Sequence, residues 1–155
     1  MISKTVYFMQ HGLALSKDEN PDRPLSATGI KETTAIARHL GQTTFSPSKM
    51  YHSGKLRAQQ TAEIIAQSTG LAAGDLTQHA HLSPNDDIQL LLPQLQHDAL
   101  YVGHLPHLDK LCTYLLTGNN DTGRIRFRNS AVLCLAHSEN TWQLNWLLPP
   151  EIIPG

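Results

Sequence analysis

The chain has few of the features that mark secreted, membrane-bound or disulfide-stabilised proteins. Its 155 residues include two cysteines, Cys112 and Cys134, and both stand within apolar runs. We therefore expect buried free thiols in a reducing compartment. No apolar run approaches the roughly 20 residues of a membrane helix, and the N-terminal letters MISKTVYF predict a strand rather than a signal peptide. These patterns favour a cytoplasmic protein without a membrane span.

Charge is also scarce. Charged residues make up 16% of the chain, and 12 basic against 13 acidic side chains give a formal net charge of -1. Nucleic acids and acidic membrane surfaces attract proteins with a basic excess, so we expect neither as a partner. The length predicts one domain over residues 1–155. A chain of this size buries roughly two-thirds of its unfolded surface and needs no disulfide or metal to fold.

Apolar periodicity predicts strands and helices in alternation. Strands are predicted at residues 5–9, 49–53, within 73–83, and at 98–104, 130–138 and 141–149. Helices are predicted at residues 25–42, 56–70, 86–96 and 105–118. Thr28 and Gly41 are the expected caps of the first helix, Gly70 ends the second, and Pro93 ends or kinks the third. The last two strands form a hairpin that turns at residues 139–140.

This order of elements predicts an α/β fold, namely a three-layer sandwich with a mostly parallel central sheet. Helices should cover both faces of the sheet, and the chain should finish in a β pair, because parallel strands need helical crossovers whereas a hairpin does not.

Polar residues follow three of the predicted strands. Gln10, His11 and Gly12 end the first strand, Arg57 begins the helix after the second, and His104 ends the strand at 98–104. Ligands of open α/β sheets bind outside the carboxyl ends of the strands. We therefore expect two imidazoles and one guanidinium at the same edge of the sheet, with two helix N-termini beside them.

This combination of groups suits a phosphoryl group. Arg57 offers bidentate hydrogen bonds and a fixed charge, and helix N-termini offer free N–H groups. A neutral imidazole can attack phosphorus, while a second, protonated imidazole can stabilise the negative charge of the transition state. Gly12 allows the backbone to approach the ligand closely. Each residue alone also fits a structural or surface role, and only the common location favours a site.

Four stretches carry a resemblance to a known family. The chain resembles the histidine phosphatase superfamily, and most of all its small SixA-type phosphohistidine phosphatases, in the order and spacing of QHG, RPLSATG, SGKLRAQQTAEII and VGHLPHL. The resemblance extends over residues 6–114. It implies a phosphoglycerate mutase-like fold and a phosphoric-group hydrolase that forms a phosphohistidine intermediate.

The resemblance also implies roles for individual residues. His11 would be the nucleophile, Arg57 would bind the phosphate, and His104 would be the second histidine of the pocket. Arg23, in DRPLS, lies in a loop that can bend over the site and add a phosphate contact, although an exposed loop arginine fits the sequence equally well. Ser53, at the end of the second strand, would add a hydroxyl group.

The chain departs from the family pattern at position 10. The family has Arg-His-Gly where this chain has Gln10, His11 and Gly12. Charge-assisted hydrogen bonds contribute about 1.5–3 kcal/mol against about 1 for neutral ones, and such a loss weakens transition-state stabilisation roughly tenfold to hundredfold. Two hypotheses follow: a slowed phosphatase, or a phosphate- or phosphoprotein-binding module that no longer turns over. The retained histidines and Arg57 favour the first.

The substrate class is predicted less directly. The resemblance implies a phosphorylated protein, such as a histidine phosphotransfer domain, and small phosphoramidates or phosphomonoesters are alternatives. Monoesters need a proton donor for the leaving group. Asp86 and Asp87 are the candidate donors by position, but both also fit the first turn of a helix. The chain has no long insertion to enclose a small metabolite, so phosphohistidine is favoured.

A metal site is the competing prediction. His79 and His81 would face the same side of a strand, and His104 and His107 are three residues apart at a helix turn. Neither pair belongs to an HExxH or CxxC pattern. We therefore expect no metal ion and no other cofactor.

Overall fold

A six-stranded sheet forms the centre of the structure, a computed structural model that describes residues 2–119 and 121–154. The strands are β1 (Lys4–Gln10), β2 (Lys49–His52), β3 (Leu76–Gln78), β4 (Ala99–Gly103), β5 (Val132–Ser138) and β6 (Thr141–Leu148). The helices are α1 (Ala27–Gly41), α2 (Leu56–Thr69), α3 (Ile88–Leu91) and α4 (His107–Thr117). The strand order across the sheet is β3-β2-β4-β1-β5-β6.

The sheet is parallel on one side and antiparallel on the other. β1, β2, β3 and β4 pair in parallel, whereas β5 is antiparallel to β1 and β6 is antiparallel to β5. Glu139 and Asn140 connect β5 to β6 with φ angles of 50° and 63°, which is the backbone of a two-residue hairpin turn. The predicted mostly parallel sheet and its C-terminal β pair are therefore confirmed.

Helices cover both faces of the sheet, as predicted. Alternate residues of β4 point to opposite faces, so Ala99 and Tyr101 belong to one core cluster while Leu100 and Val102 belong to the other. The first cluster contains apolar residues of α3 and α4, and the second contains those of α1 and α2. This arrangement is the three-layer α/β sandwich expected from the sequence.

Several predicted element ends need correction. Ser26, not Thr28, is the N-cap of α1, because its hydroxyl accepts a hydrogen bond from Gly29 N. Gly41 is the last helical residue and Gln42 is the C-cap. Gly70 does end α2, with a φ of 71° that glycine adopts without strain.

The third predicted strand is shorter than expected, because a 3-10 turn takes up its first residues and β3 spans only Leu76–Gln78. The third predicted helix is also short. α3 has four residues, and a 3-10 turn over Leu92–Gln94, which contains Pro93, follows it. A proline in this place cannot donate the next helical hydrogen bond, so the predicted end of this helix at Pro93 is confirmed.

Both cysteines are buried free thiols, Cys112 in α4 and Cys134 in β5, as predicted. Among the described helices, none is long and apolar enough to cross a bilayer.

The loop after β1 is fixed by a close contact with α1. Ser26 N and Ser26 Oγ both donate to Leu13 O, at 2.8 and 3.0 Å. A side chain at Gly29 would clash with that same carbonyl group. Helix α1 can therefore lie against the residues that follow His11 only because position 29 has no Cβ.

We expect Gly29→Ala to lower the free energy of unfolding by about 1–3 kcal/mol, because a rigid backbone must shift to make room. Urea denaturation monitored by circular dichroism measures this loss. Gly74→Ala is the matched control, since a Cβ at Gly74 would meet nothing within 4 Å. Equal stability of the Gly29 variant and the wild type would contradict the close-contact explanation.

Candidate active site

The end of β1 is held by backbone hydrogen bonds on both sides. His11 N donates to Gly103 O of β4 at 3.1 Å, and His11 O accepts from Ser130 N at 3.3 Å. Asn129 Nδ2 donates to the same His11 carbonyl group at 3.1 Å. The backbone of His11 is thus fixed between β4 and the segment that leads into β5.

The imidazole of His11 has one nitrogen engaged by its own backbone. Nδ1 lies 2.7 Å from Gly12 O. A carbonyl oxygen can only accept, so Nδ1 carries the hydrogen of the neutral ring and the lone pair lies on Nε2. The side chain is 9% exposed. This is the tautomer that a nucleophilic Nε2 requires.

Gly12 connects the strand end to α2. Its N–H donates to Thr61 Oγ1 at 2.9 Å, and the Thr61 hydroxyl donates to Arg57 O at 2.7 Å. A Cβ at Gly12 would lie 2.6 Å from Thr33 Oγ1 and 3.2 Å from Gly29 O. The absence of a side chain therefore allows β1 to end between α1 and the first turn of α2, where Arg57 lies.

His104 and Ser53 lie beside His11. The ring centroids of the two histidines are 4.9 Å apart, with an angle of 50° between the ring planes. His104 Nε2 is 2.6 Å from Ser53 Oγ, and the His104 side chain is 1% exposed. The carboxyl ends of β1, β2 and β4 thus bring together three of the polar groups that the sequence singles out.

Two arginines add positive charge to this group. Arg57 Nε is buried and meets no hydrogen-bond partner within the described part of the chain. Arg23 has a φ of 48°, and its Nε donates to Leu15 O at 3.0 Å. The charge of Arg23 and the burial of Arg57 both lower the pKa of Arg57, burial more strongly. In residues 2–119 and 121–154, neither guanidinium forms an ion pair, so a bound anion would meet uncompensated charge.

The start of α2 also contributes. α2 begins after Lys55 and α4 begins after Pro106, and neither N-cap residue, as described, supplies a side-chain hydrogen bond. In α4, however, Leu108 N already donates to His104 O at 2.9 Å, so α2 is the helix whose first N–H groups are the better placed to bind an anion.

Both imidazoles are neutral near pH 7. Burial, and then the charges of Arg57 and Arg23, lower the pKa of His11 to about 4, against the opposing effect of its bond to Gly12. Burial, His11 and Arg57 lower the pKa of His104 to about 3. The expectation of a protonated second imidazole is therefore wrong for the protein alone, because His104 is desolvated beside cations. A bound phosphoryl group has the opposite charge and would raise the pKa of both histidines.

A cleft of about 570 Å³ adjoins the arginines. It is lined by Lys17, Pro21, Asp22, Arg23, Lys55, Leu56, Arg57, Ser83, Pro84, Asn85 and Asp86. Asp86 Oδ2 accepts from Ser83 N at 2.8 Å, whereas Asp87 caps α3 by accepting from Gln89 N. Of the two candidate proton donors, only Asp86 faces the cleft.

Gln10 is the last residue of β1 and pairs with Gly103 of β4. Its N–H donates to Ala131 O at 3.3 Å, and its carbonyl oxygen accepts from Ser130 N at 3.0 Å. Its side-chain Oε1 is buried and has no hydrogen-bond partner among the described residues. The backbone of Gln10, rather than its side-chain oxygen, therefore holds this end of the strand.

The residues of the competing metal hypothesis do not form a ligand group. β3 ends at Gln78, so His79 and His81 lie beyond the strand that was expected to align them. His107 is buried, at 0% exposure. Within the described ranges there is no group of three or more histidine, cysteine, aspartate or glutamate side chains that could hold a metal ion.

Sequence reasoning missed two residues that build the site, Thr61 and Asn129. Thr61 is a buried residue of α2, and its hydroxyl joins Gly12 to Arg57. Asn129 lies in a loop whose path the sequence pattern does not predict.

The low pKa of His11 makes stability depend on pH. Its pKa of about 4 lies below the ordinary value of 6.5 for histidine, so the unfolded chain binds a proton first as the pH falls. Stability is thus fully present above the unfolded pKa and is lost as the pH falls toward the folded one. A difference of this size corresponds to about 3 kcal/mol.

When the pH is lowered from about 7 to about 4, the free energy of unfolding should decrease in the wild type. We expect the decrease to be about 3 kcal/mol smaller in His11→Asn. Urea denaturation at both pH values measures the difference. His39→Asn, an exposed substitution in α1, should retain the pH dependence of the wild type. If the free energy of unfolding depends on pH in the same way in the wild type and the His11 variant, His11 does not have the lowered pKa.

Comparisons with known proteins identify the family of the chain. A family model described as the histidine phosphatase superfamily (branch 1) matches residues 6–82. An uncharacterised protein of Picosynechococcus sp. is 31% identical over 169 residues, which cover 93% of this chain and 99% of that protein.

Solved structures give the same result. A protein histidine phosphatase SixA complexed with tungstate is 26% identical, with a TM-score of 0.81 over 97% of this chain and 99% of that one. A phosphohistidine phosphatase SixA of Agrobacterium tumefaciens, named from similarity, is 20% identical, with a TM-score of 0.76 over 97% and 100% of the two chains. A phosphoserine phosphatase of Entamoeba histolytica shares the fold at 14% identity, with a TM-score of 0.71 over 96% and 98%. The chain belongs to the histidine phosphatase superfamily, and its fold is of the SixA type.

Proposed function

We propose that this protein is a phosphatase that acts through a phosphohistidine intermediate on His11, and that its substrate is phosphohistidine on a protein. The main support is the neutral His11 ring with its free Nε2, beside two guanidinium groups that have no carboxylate partner among the described residues. The superfamily and the SixA-type fold support phosphatase chemistry in general. The site residues and the substrate are our proposal.

The first chemical step transfers the phosphoryl group to His11. The lone pair of Nε2 attacks phosphorus while the bond from phosphorus to the leaving nitrogen breaks. The leaving nitrogen keeps the electron pair and takes a proton from solvent. Arg57 and Arg23 bind the equatorial phosphoryl oxygens and stabilise their charge.

The second step restores the histidine. Water attacks phosphorus, the bond between phosphorus and Nε2 breaks, and inorganic phosphate and one proton leave. His11 returns to its neutral form, which its pKa of about 4 favours. The hydrogen bond from Nδ1 to Gly12 O keeps the same nitrogen available in each cycle.

His104 and Ser53 stabilise the transferring group. His104 Nε2 and Ser53 Oγ are hydrogen-bonded to each other at 2.6 Å, and a phosphoryl oxygen that replaces this bond can accept a hydrogen bond from each. The charge of the phosphoryl group raises the pKa of His104 as it binds, and the protonated ring is the stronger donor.

Phosphohistidine on a protein fits the cleft better than a phosphomonoester. Its leaving nitrogen accepts a proton readily, so it needs little help from an acid. Asp86, the acidic candidate that lines the cleft, already accepts a hydrogen bond from Ser83 N. A partner such as a histidine phosphotransfer domain would present its phosphohistidine to this cleft.

Gln10 supports a second candidate function, a phosphoprotein-binding module without turnover. The uncharged amide at position 10 weakens transition-state stabilisation, yet Arg57 and Arg23 still bind phosphate. The two candidates differ in whether a covalent intermediate forms.

We expect a radiolabelled phosphoramidate or phosphohistidine peptide to leave an acid-labile label on the wild type after rapid quenching. His11→Ala should carry no label, because the nucleophile is missing. Mass spectrometry under alkaline conditions locates the label. His39→Ala, on the exposed side of α1, is the control and should label like the wild type.

Binding of the peptide without label or turnover would support the binding module instead. A label on the His11→Ala variant would show that another residue is the nucleophile.

We expect Gln10→Arg to raise phosphatase activity at about neutral pH by roughly tenfold to hundredfold, because it replaces a neutral hydrogen bond with a charge-assisted one. Steady-state kinetics with a phosphoramidate at pH 7.5 or so measures kcat and KM. A rate equal to or below that of the wild type would contradict the assigned role of position 10.

A further inference from the structure

Ser130 has a backbone conformation that its residue type seldom adopts. Its φ is 68°, in the left-handed region where glycine is favoured and a side chain costs free energy. It lies in a turn that Ala131 N closes by donating to Arg128 O at 3.0 Å. Turns with such a φ usually have glycine or asparagine at that position. A serine that keeps this conformation points to a role for its side chain.

The side chain of Ser130 is buried and bonded to a helix that is distant in the sequence. Its hydroxyl oxygen lies 2.9 Å from Thr33 Oγ1 of α1, and both side chains are 0% exposed. A Cβ on Gly12 would lie 2.6 Å from the same Thr33 oxygen. The hydroxyl pair therefore lies against the glycine that follows His11, and it connects α1 to the turn before β5.

The same turn holds the peptide group between His11 and Gly12. The oxygen of this group, His11 O, accepts from Ser130 N at 3.3 Å and from Asn129 Nδ2 at 3.1 Å. The nitrogen of this group, Gly12 N, donates to Thr61 Oγ1 at 2.9 Å. The peptide group is thus held at both ends, which fixes the glycine whose carbonyl oxygen bonds to Nδ1 of the His11 ring.

We propose that Thr33 and Ser130 are positioning residues for His11. The bond between their hydroxyl groups keeps Ser130 in its left-handed conformation, and this conformation directs Ser130 N toward His11 O. Neither hydroxyl group contacts the phosphoryl group in the proposed mechanism. The inference rests on the proposed nucleophilic role of His11, and it adds the contact that holds the ring in place for attack on phosphorus.

Loss of this bond should slow phosphoryl transfer without weakening phosphate binding. Arg57 and Arg23 bind the phosphoryl oxygens in the proposed mechanism, and the hydrogen bonds described for these arginines involve Thr61 and Leu15 instead. A nucleophile that is displaced by about 1 Å loses up to about 100-fold in rate. The expected signature is therefore a lower kcat at a nearly constant KM.

The test measures transfer of a radiolabelled phosphoramidate phosphoryl group to His11 after rapid quenching, together with kcat, KM and the affinity for inorganic phosphate. Thr33→Val keeps the shape of the side chain without its hydroxyl group. It should lower the labelling rate and kcat about tenfold or more, while KM and the phosphate affinity change by less than about threefold. Thr33→Ser keeps the hydroxyl group and should keep most of the wild-type rate.

A double variant, Thr33→Val with Ser130→Gly, separates positioning from stability. It leaves neither hydroxyl group unpaired, and it gives the turn the glycine that a left-handed φ favours. We therefore expect its free energy of unfolding, measured with urea, to be close to that of the wild type. Its labelling rate should still be as low as that of Thr33→Val, because glycine adopts many other conformations and no bond holds it. A purely structural role predicts the wild-type rate.

Thr113→Val is the matched control. Thr113 is also a buried helical threonine, at 1% exposure, and its hydroxyl donates to Asp109 Oδ1 within α4 at 3.1 Å. The variant makes the same chemical change and removes one hydrogen bond, but this bond does not involve the turn before β5. It should keep the labelling rate of the wild type.

A second measurement does not depend on turnover. Nitrogen NMR of the His11 ring at about pH 7 shows which ring nitrogen carries the hydrogen, and the signals are assigned by their absence from His11→Asn. We expect the Nδ1–H form alone in the wild type, because Nδ1 donates to Gly12 O. Thr33→Val and the double variant should show a mixture of both neutral forms.

Unchanged labelling and a single ring form in Thr33→Val would overturn the inference, and so would an equal loss of rate in Thr113→Val. If the wild type forms no label but Thr33→Val changes the ring form, the inference is supported and the proposed catalysis is removed. Labelling of the wild type, Thr33→Val and the double variant at one rate would support the catalysis and remove the inference.

Discussion

The site depends on a neutral imidazole held in a buried place beside positive charge. His11 Nδ1 is bonded to Gly12 O, and its backbone is tied to Gly103 of β4 and to Ser130 before β5. Burial and the guanidinium groups keep the ring unprotonated. A solvated histidine would be partly protonated near neutral pH and free to rotate. Fixing one tautomer at one position leaves the lone pair of Nε2 free, which is what the proposed nucleophilic role of His11 requires.

Such a site is costly for folding, and the surrounding layers offset that cost. Two imidazoles are buried in a pocket where Arg57 and Arg23 have no carboxylate partner in the described chain, an arrangement that destabilises the folded state until an anion binds. The two core clusters stabilise the scaffold, because β1 and β4 are buried on both faces. Gly12 packs closely against α1, and Gly29 of α1 packs closely against Leu13, so neither position has room for a larger residue.

The sequence predicted the fold and the meeting of the main polar groups because both follow from general rules. Alternating strands and helices imply a parallel sheet, and the ends of parallel strands share one edge, so His11, His104 and Arg57 could be grouped from their positions. The remaining details depend on tertiary contacts. The hydrogen bond from Gly12 N to Thr61, the place of Asn129 and the different contacts of Asp86 and Asp87 are set by packing between distant segments. The neutral state of His104 likewise depends on burial, which no local pattern encodes.

Position 10 shows how such a scaffold can change its chemistry without changing its fold. The backbone of Gln10 makes the hydrogen bonds that hold the strand end, to Ala131 and Ser130, and any residue except proline can make them. The buried side-chain oxygen of Gln10 makes no hydrogen bond within the described residues, so the strand end does not depend on the amide. An exchange between a guanidinium and an amide at this position therefore leaves β1, His11 and the tautomer of His11 in place. It changes the charge at the end of the strand, and position 10 thus bears on the rate of the proposed phosphatase rather than on its fold.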